Sequence, residues 1–214
     1  MNFTFSLVGY ELTHESVFLD LGSGQVYPQC IATLLTSCRS LSFDTMRSRR
    51  TYNLDSMSAL EIAPETCRLN WRTNTKVAIT DIVKGEGSLI WGGDEAEQTH
   101  FTHVYLPHLD NEENETYISK VAERLNKTLY RYLICALTPE IAIHKYKLQV
   151  NPMSRCKLVK ESLEENRVIL YIYANSMGGV SRHLLDHGKI TALALRDYKK
   201  VESKLLKYHD IDIK

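Results

Sequence analysis

The run Val168-Ile169-Leu170-Tyr171-Ile172-Tyr173-Ala174 has no polar break at every second position, and Asn175-Ser176-Met177-Gly178-Gly179 follows at once. A strand with one wet face alternates in polarity, whereas an unbroken apolar run belongs to a strand covered on both faces. This stretch predicts the middle of a sheet, and the rest of the chain is read as what surrounds it.

At 214 residues the chain has room for one domain, or one domain with a sizeable insertion. Hydrophobic residues make up 43% and charged residues 24%, which predicts a real core and not a disordered chain. Lys plus Arg and Asp plus Glu number 26 each, so the charge that drives non-specific binding to nucleic acid or anionic membrane is missing overall. No segment approaches the ~18 apolar residues of a membrane span. The N-terminus lacks a basic stretch before Glu11, so no signal peptide is expected. Cys30, Cys38, Cys67, Cys135 and Cys156 are scattered, with no C-x-x-C pair, which fits a reduced, intracellular compartment, cytoplasmic or nuclear.

The pattern predicts strands at Phe3–Val8, Val17–Leu21, Arg68–Arg72, Lys76–Val83, Phe101–Leu106 and Ile141–Leu148. Val17–Leu21 reads as the hairpin partner of the first strand, closed by Gly22-Ser23-Gly24. A short helix is expected at Cys30–Leu35, with Pro28 in its tolerated first turn. Arg39–Pro64, rich in Ser, Thr and Arg, reads as a flexible loop or insertion. Ile118, Val121, Ala122, Leu125, Leu129, Leu133 and Ala136 recur at helical spacing and predict a helix over Thr116–Leu137. A second helix is expected over Ile190–Lys207, with the stripe Ile190, Ala194, Tyr198, Val201 and Leu205. The fold class that follows is α+β: one domain over 1–214, a largely antiparallel or mixed sheet with two long amphipathic helices packed on it. Both helices on one face would leave the other sheet face bare, and a bare apolar face marks an oligomer or partner surface.

Ala174-Asn175-Ser176-Met177-Gly178 follows the buried strand, and over about ten residues it resembles the nucleophile elbow of the serine hydrolases, G-x-S-x-G, with Ala for the first Gly. The resemblance implies Ser176 as nucleophile and the Met177 amide as an oxyanion donor. Against it, only 38 residues remain for the acid and the histidine, and they read as helix. Ser181 and Arg182, beside the turn amides, suit a bound anion. His183 and His187, four apart, share a helix face and could ligate a metal, but the segment lacks the glutamate of H-E-x-x-H. No metal or cofactor is expected on balance. Arg47, Arg49 and Arg50 form the basic concentration of the chain and would suit phosphates or an acidic partner. No convergent set of nucleophile, base and acid is visible. The expectation is therefore a non-catalytic interaction protein (a complex subunit, adaptor or assembly factor) with a protein partner or a second copy of itself. Two alternatives remain open: a hydrolase built on Ser176, and a nucleic-acid binder using Arg47, Arg49 and Arg50. No membrane partner is expected.

Overall fold

The computed structural model describes residues 12–22, 27–44, 74–79, 100–108, 110–157, 169–176 and 187–208. Strands β1 (Val17–Leu21), β2 (Arg39–Asp44), β3 (Thr75–Ile79), β4 (His100–Leu106), β5 (Leu129–Cys135), β6 (Val150–Lys157) and β7 (Ile169–Asn175) form one seven-stranded sheet. Its order is β3-β2-β1-β4-β5-β7-β6. The first five in that order run parallel; β7 is antiparallel to both β5 and β6. The sheet is mixed, as expected, but its body is parallel and the architecture is α/β. Helices α1 (Tyr27–Thr36), α2 (Glu112–Leu125) and α3 (His187–Tyr208) complete the described elements, with a wide π-type turn at Ile141–Lys145.

The expected hairpin is excluded because β1 already has β2 on one side and β4 on the other, both parallel. A parallel pair needs a crossover, and α1 supplies it between β1 and β2. Arg39–Asp44, expected as loop, is β2, held in register with β1 from Val17↔Arg39 to Leu21↔Phe43. Arg39–Asp44 shows strand alternation only weakly, because Ser40 and Ser42 are themselves buried. The Ser40 hydroxyl is satisfied there by Thr33 at 2.8 Å and Thr75 at 3.2 Å.

The helix expected over Thr116–Leu137 is two elements. Asn111 caps α2, its side chain accepting the Asn114 N–H at 3.0 Å, and Glu112, Glu113 and Glu115 complement the dipole of the first turn. The helix stops at Leu125. Asn126 follows, its amide nitrogen donating to Lys147 O and its side-chain oxygen accepting from Gln149 N, so the side chain ties the turn to the segment before β6. From Leu129 the chain is strand β5, where Tyr130, Tyr132 and Ile134 favour extended backbone. Ile141–Lys145, expected as a strand, is instead the π-type turn, closed by the Tyr146 N–H on Ile141 O at 3.1 Å.

Both sheet faces are covered. On one, Val17, Leu19, Leu21 and Leu133 pack with Ile118, Val121 and Leu125 of α2 and Ala194, Tyr198 and Val201 of α3. Burial of each large side chain is worth about 1.5–3 kcal/mol. On the other, Phe18 packs with Leu12, Ala32 of α1, Cys38, Tyr105, Ile134 and Ile172. Among the described residues no bare apolar sheet face remains to serve as the expected partner surface: Phe18, Leu170 and Ile172 are at most 1% exposed, and Tyr105 and Tyr132 only 5% and 7%. Beside the amino end of β4, the Asp197 carboxylate of α3 accepts the His100 N–H at 3.0 Å and lies 2.7 Å from the His100 ring, fixing the helix to the sheet.

Candidate functional site

Five parallel strands put five carboxyl ends on one edge. In an open α/β sheet, ligands bind outside those ends, where the strand order reverses. Here the reversal lies between β1 and β4, since β1 leads outward to β2 and β3 while β4 leads the other way to β5. The residues that close β1 and β4 are thus the ones that matter.

Strand β1 ends Asp20-Leu21-Gly22. Asp20 is fully buried, in register with Ser42 of β2 and Tyr105 of β4. Burial, and after it the Asp20 charge, push the Tyr105 hydroxyl well above its ordinary pKa, so the carboxylate acts across the β1–β4 seam. Gly22 follows with φ +79°, a conformation that costs an L side chain but not glycine. Its N–H donates to Phe43 O at 2.8 Å, closing the tip of β1 on β2. A β-carbon at Gly22 would lie 2.1 Å from Cε1 and 2.7 Å from Nε2 of His108. The imidazole therefore lies directly against the glycine.

His108 comes two residues after β4 ends at Leu106. The ring also packs on Tyr117 of α2, with ring centroids 4.6 Å apart and planes tilted by 44°. Farther along the same loop, Asp110 accepts from Lys145 Nζ at 2.8 Å and from the Tyr146 hydroxyl. Lys145 also reaches Glu115 at 3.2 Å. The bonds from Lys145 and Tyr146 hold the Asp110 carboxyl below its ordinary pKa, and burial together with the Asp110 bond pushes the Tyr146 phenol up to about 12. These contacts pin the loop after β4 to the turn after β5, so the rim of the crevice is braced on its β4–β5 side.

Asp44 is the final residue of β2. On this edge the sequence therefore offers a carboxylate within β1, a glycine turn ahead of a helix, an aspartate as the last residue of β2 and an imidazole after β4. The sequence reading did not assign these four to a shared site. The signal was present in Asp20-Leu21-Gly22-Ser23-Gly24 ahead of α1, a strand–glycine turn–helix succession, but the glycines were assigned to a hairpin.

Of the residues singled out from the sequence, Ser176 and His187 fall among the described ones. Ser176 follows β7, and β7 runs against the parallel strands, so its carboxyl end sits beside the amino end of β5, on the edge opposite the crevice. Its N–H donates to Gln149 O at 2.9 Å. His187 opens α3. Arg47, Arg49, Arg50, Ser181, Arg182 and His183 lie outside the described residues. Among the described residues no three His, Cys, Asp or Glu side chains gather as a metal site would require. Nor is any helix among them long and apolar enough to cross a membrane.

No protein-family profile and no curated protein sequence matches this chain. Solved structures do match in fold. Magnesium protoporphyrin IX methyltransferase from Synechocystis PCC 6803, solved with bound S-adenosylmethionine, is 11% identical over 82% of this chain and 79% of its own, with a TM-score of 0.55. The N-methyltransferase NodS from Bradyrhizobium japonicum is 14% identical over 81% and 94%, with a TM-score of 0.52. A protein of Pyrococcus horikoshii, provisionally described as an RNA methyltransferase, is 14% identical over 81% and 84%, with a TM-score of 0.53. At such identities the likeness is one of fold. That fold overturns the expectation of a non-catalytic adaptor, complex subunit or assembly factor. The expectation rested on the lack of a local catalytic set in the sequence, which a crevice assembled from distant strand ends does not require. Ser176, the residue on which the hydrolase alternative rests, does not share the edge of the sheet that carries the crevice.

Proposed function

We propose that this chain is a methyltransferase that takes its methyl group from S-adenosylmethionine held at the carboxyl ends of β1, β2 and β4. The observation that carries the reading is the glycine turn of β1 at the reversal point of a sheet ordered β3-β2-β1-β4-β5-β7-β6 with β7 reversed. A nicotinamide dinucleotide is the competing ligand for such a crevice. Its six-strand order lacks the reversed β7, and its fingerprint needs a third glycine where this chain has Tyr27.

The residues present fit the methyl donor. Gly22, with no β-carbon, lets the His108 ring lie against the β1 turn, which puts an imidazole at the crevice beside the sharp end of β1. Asp44, at the tip of β2, stands where an acidic residue accepts from ribose hydroxyls in related crevices. Asp20 places a buried negative charge beneath the turn, which suits a ligand bearing a sulfonium and an ammonium. When bound, the donor supplies a methyl group on a positively charged sulfur, activated towards a nucleophile. The chain holds the donor by its turn and carboxylates, and braces the β4–β5 rim through Asp110, Lys145 and Tyr146. In this reading Arg47, Arg49 and Arg50, three to six residues beyond Asp44 in the chain, meet an anionic acceptor such as RNA.

Isothermal titration with S-adenosylmethionine and with S-adenosylhomocysteine tests the reading. Both should bind, and Asp44→Asn should weaken both by about 10- to 100-fold, the value of a charge-assisted hydrogen bond. Binding of NAD in preference to either compound would overturn it.

A further inference from the structure

We infer that His108 is a specificity-determining residue that tells the methyl donor from the spent product through charge. The inference rests on the methyl-donor reading above and adds to it a role for this chain's own imidazole.

The argument starts from where the ring lies. Its Cε1 and Nε2 occupy the space directly over the Gly22 α-carbon, at the point where β1 and β4 part. A ligand whose ribose is held at the tip of β2 extends from there across the β1 turn towards β4. The part of the ligand that reaches His108 is then the end remote from the base, which carries the sulfur. Tyr117 backs the ring from α2, and Asp110, two residues on, is tied to Lys145 and Tyr146. The imidazole is thus held between the Gly22 turn and α2, on a loop anchored to the rest of the rim.

Donor and product differ by one methyl group and one positive charge. The sulfur is a cationic sulfonium before transfer and a neutral thioether after it. A neutral imidazole beside it tolerates both, whereas an imidazolium repels the sulfonium and leaves the thioether alone. Histidine is the side chain that changes charge between about pH 5 and 8. The ratio of the two affinities should therefore depend on pH. The amino and carboxylate groups of the ligands are common to both and cancel in that ratio. Among the described residues, Tyr117 on α2 packs on the ring, Asp110 lies two residues along the same loop, and Asp20 lies two residues before Gly22 in β1. Of these, a carboxylate becoming neutral in acid would shift the ratio in the same direction, so a variant must separate it from the imidazole.

The test is calorimetric titration of S-adenosylmethionine and S-adenosylhomocysteine at about pH 5.5 and pH 8. In the wild-type protein the affinity for the sulfonium should fall about tenfold more than that for the thioether on acidification, the size of a modest like-charge repulsion. In His108→Gln both ligands should still bind, with a ratio that no longer changes with pH. An unchanged ratio in the wild type would overturn the inference without any variant, so it does not depend on His108→Gln folding. A pH-dependent ratio that persists in His108→Gln would assign the effect to Asp20 or Asp110 and also overturn it. Failure of both ligands to bind at either pH would instead refute the methyl-donor reading on which it rests.

Discussion

Substituting Gly22 by alanine probes the β1 turn in two separable ways. An L residue at φ +79° costs roughly 1–2 kcal/mol in backbone strain. The new methyl would also sit 2.1 Å from His108 Cε1, so the ring must leave its place and give up its tilted contact with Tyr117, about 0.5–1.5 kcal/mol more. The expected loss is about 1.5–3.5 kcal/mol of folding stability, read from urea unfolding with the slope unchanged. The steric part belongs to the pair and the backbone part to residue 22 alone. In the His108→Ala background, Gly22→Ala should therefore cost only its backbone share, leaving a coupling of about 0.5–1.5 kcal/mol in the double-mutant cycle. Additivity within ~0.5 kcal/mol would refute the contact between His108 and Gly22. A Gly22→Ala cost near zero would refute the left-handed turn as well.

Three further outcomes follow from other parts of the molecule. Asp197→Ala should leave the buried His100 N–H without its carboxylate and destabilise the protein by about 1–3 kcal/mol in chemical denaturation. Burial works to raise the Asp197 pKa, but the bonds from His100 and Arg196 outweigh it and the net shift is downward. Its contribution to stability is thus present above the ordinary aspartate value, ~3.9, and is lost as pH falls through the lower folded value; Asp197→Asn should flatten that acid limb. Burial pushes the thiols of Cys38 and Cys135 up to about 11 and about 12, so two of the five cysteines should resist a thiol reagent at neutral pH in the folded protein and react once it is unfolded. Replacing Arg47, Arg49 and Arg50 together by glutamine should weaken binding to RNA and lower its salt dependence while leaving the affinity for S-adenosylmethionine unchanged; a loss of donor affinity instead would place these residues in the donor site.

How much of this was written legibly in the sequence depends on which interactions decide each element. Leu170, Ile172 and Tyr173 are almost wholly buried in β7, as the unbroken apolar run implied, and the stripe Ile190, Ala194, Tyr198 and Val201 is buried in α3. Burial is written in side-chain type, so it can be read. Strand direction is not. Whether Val17–Leu21 pairs with a parallel or an antiparallel neighbour depends on what lies between the strands, and Tyr27–Thr36 is long enough to be the crossover helix that a parallel pair requires. The same run of leucines at 125, 129 and 133 satisfies a helix of period 3.6 as readily as one helix end plus a strand. Asn126 breaks the tie through bonds to Lys147 and Gln149, residues about twenty positions away. The crevice was hidden for a related reason. Gly22 and His108 are 86 positions apart in the sequence (108 − 22), and only the parallel pairing of β1 with β4 brings the glycine under the imidazole. Ser176 stood out because its motif is local, yet the reversal of β7 carries it to the opposite edge. In a parallel sheet the site is assembled from strand ends far apart in the chain. A search for local motifs therefore finds the pieces that look catalytic, while the topology decides which of them share an edge.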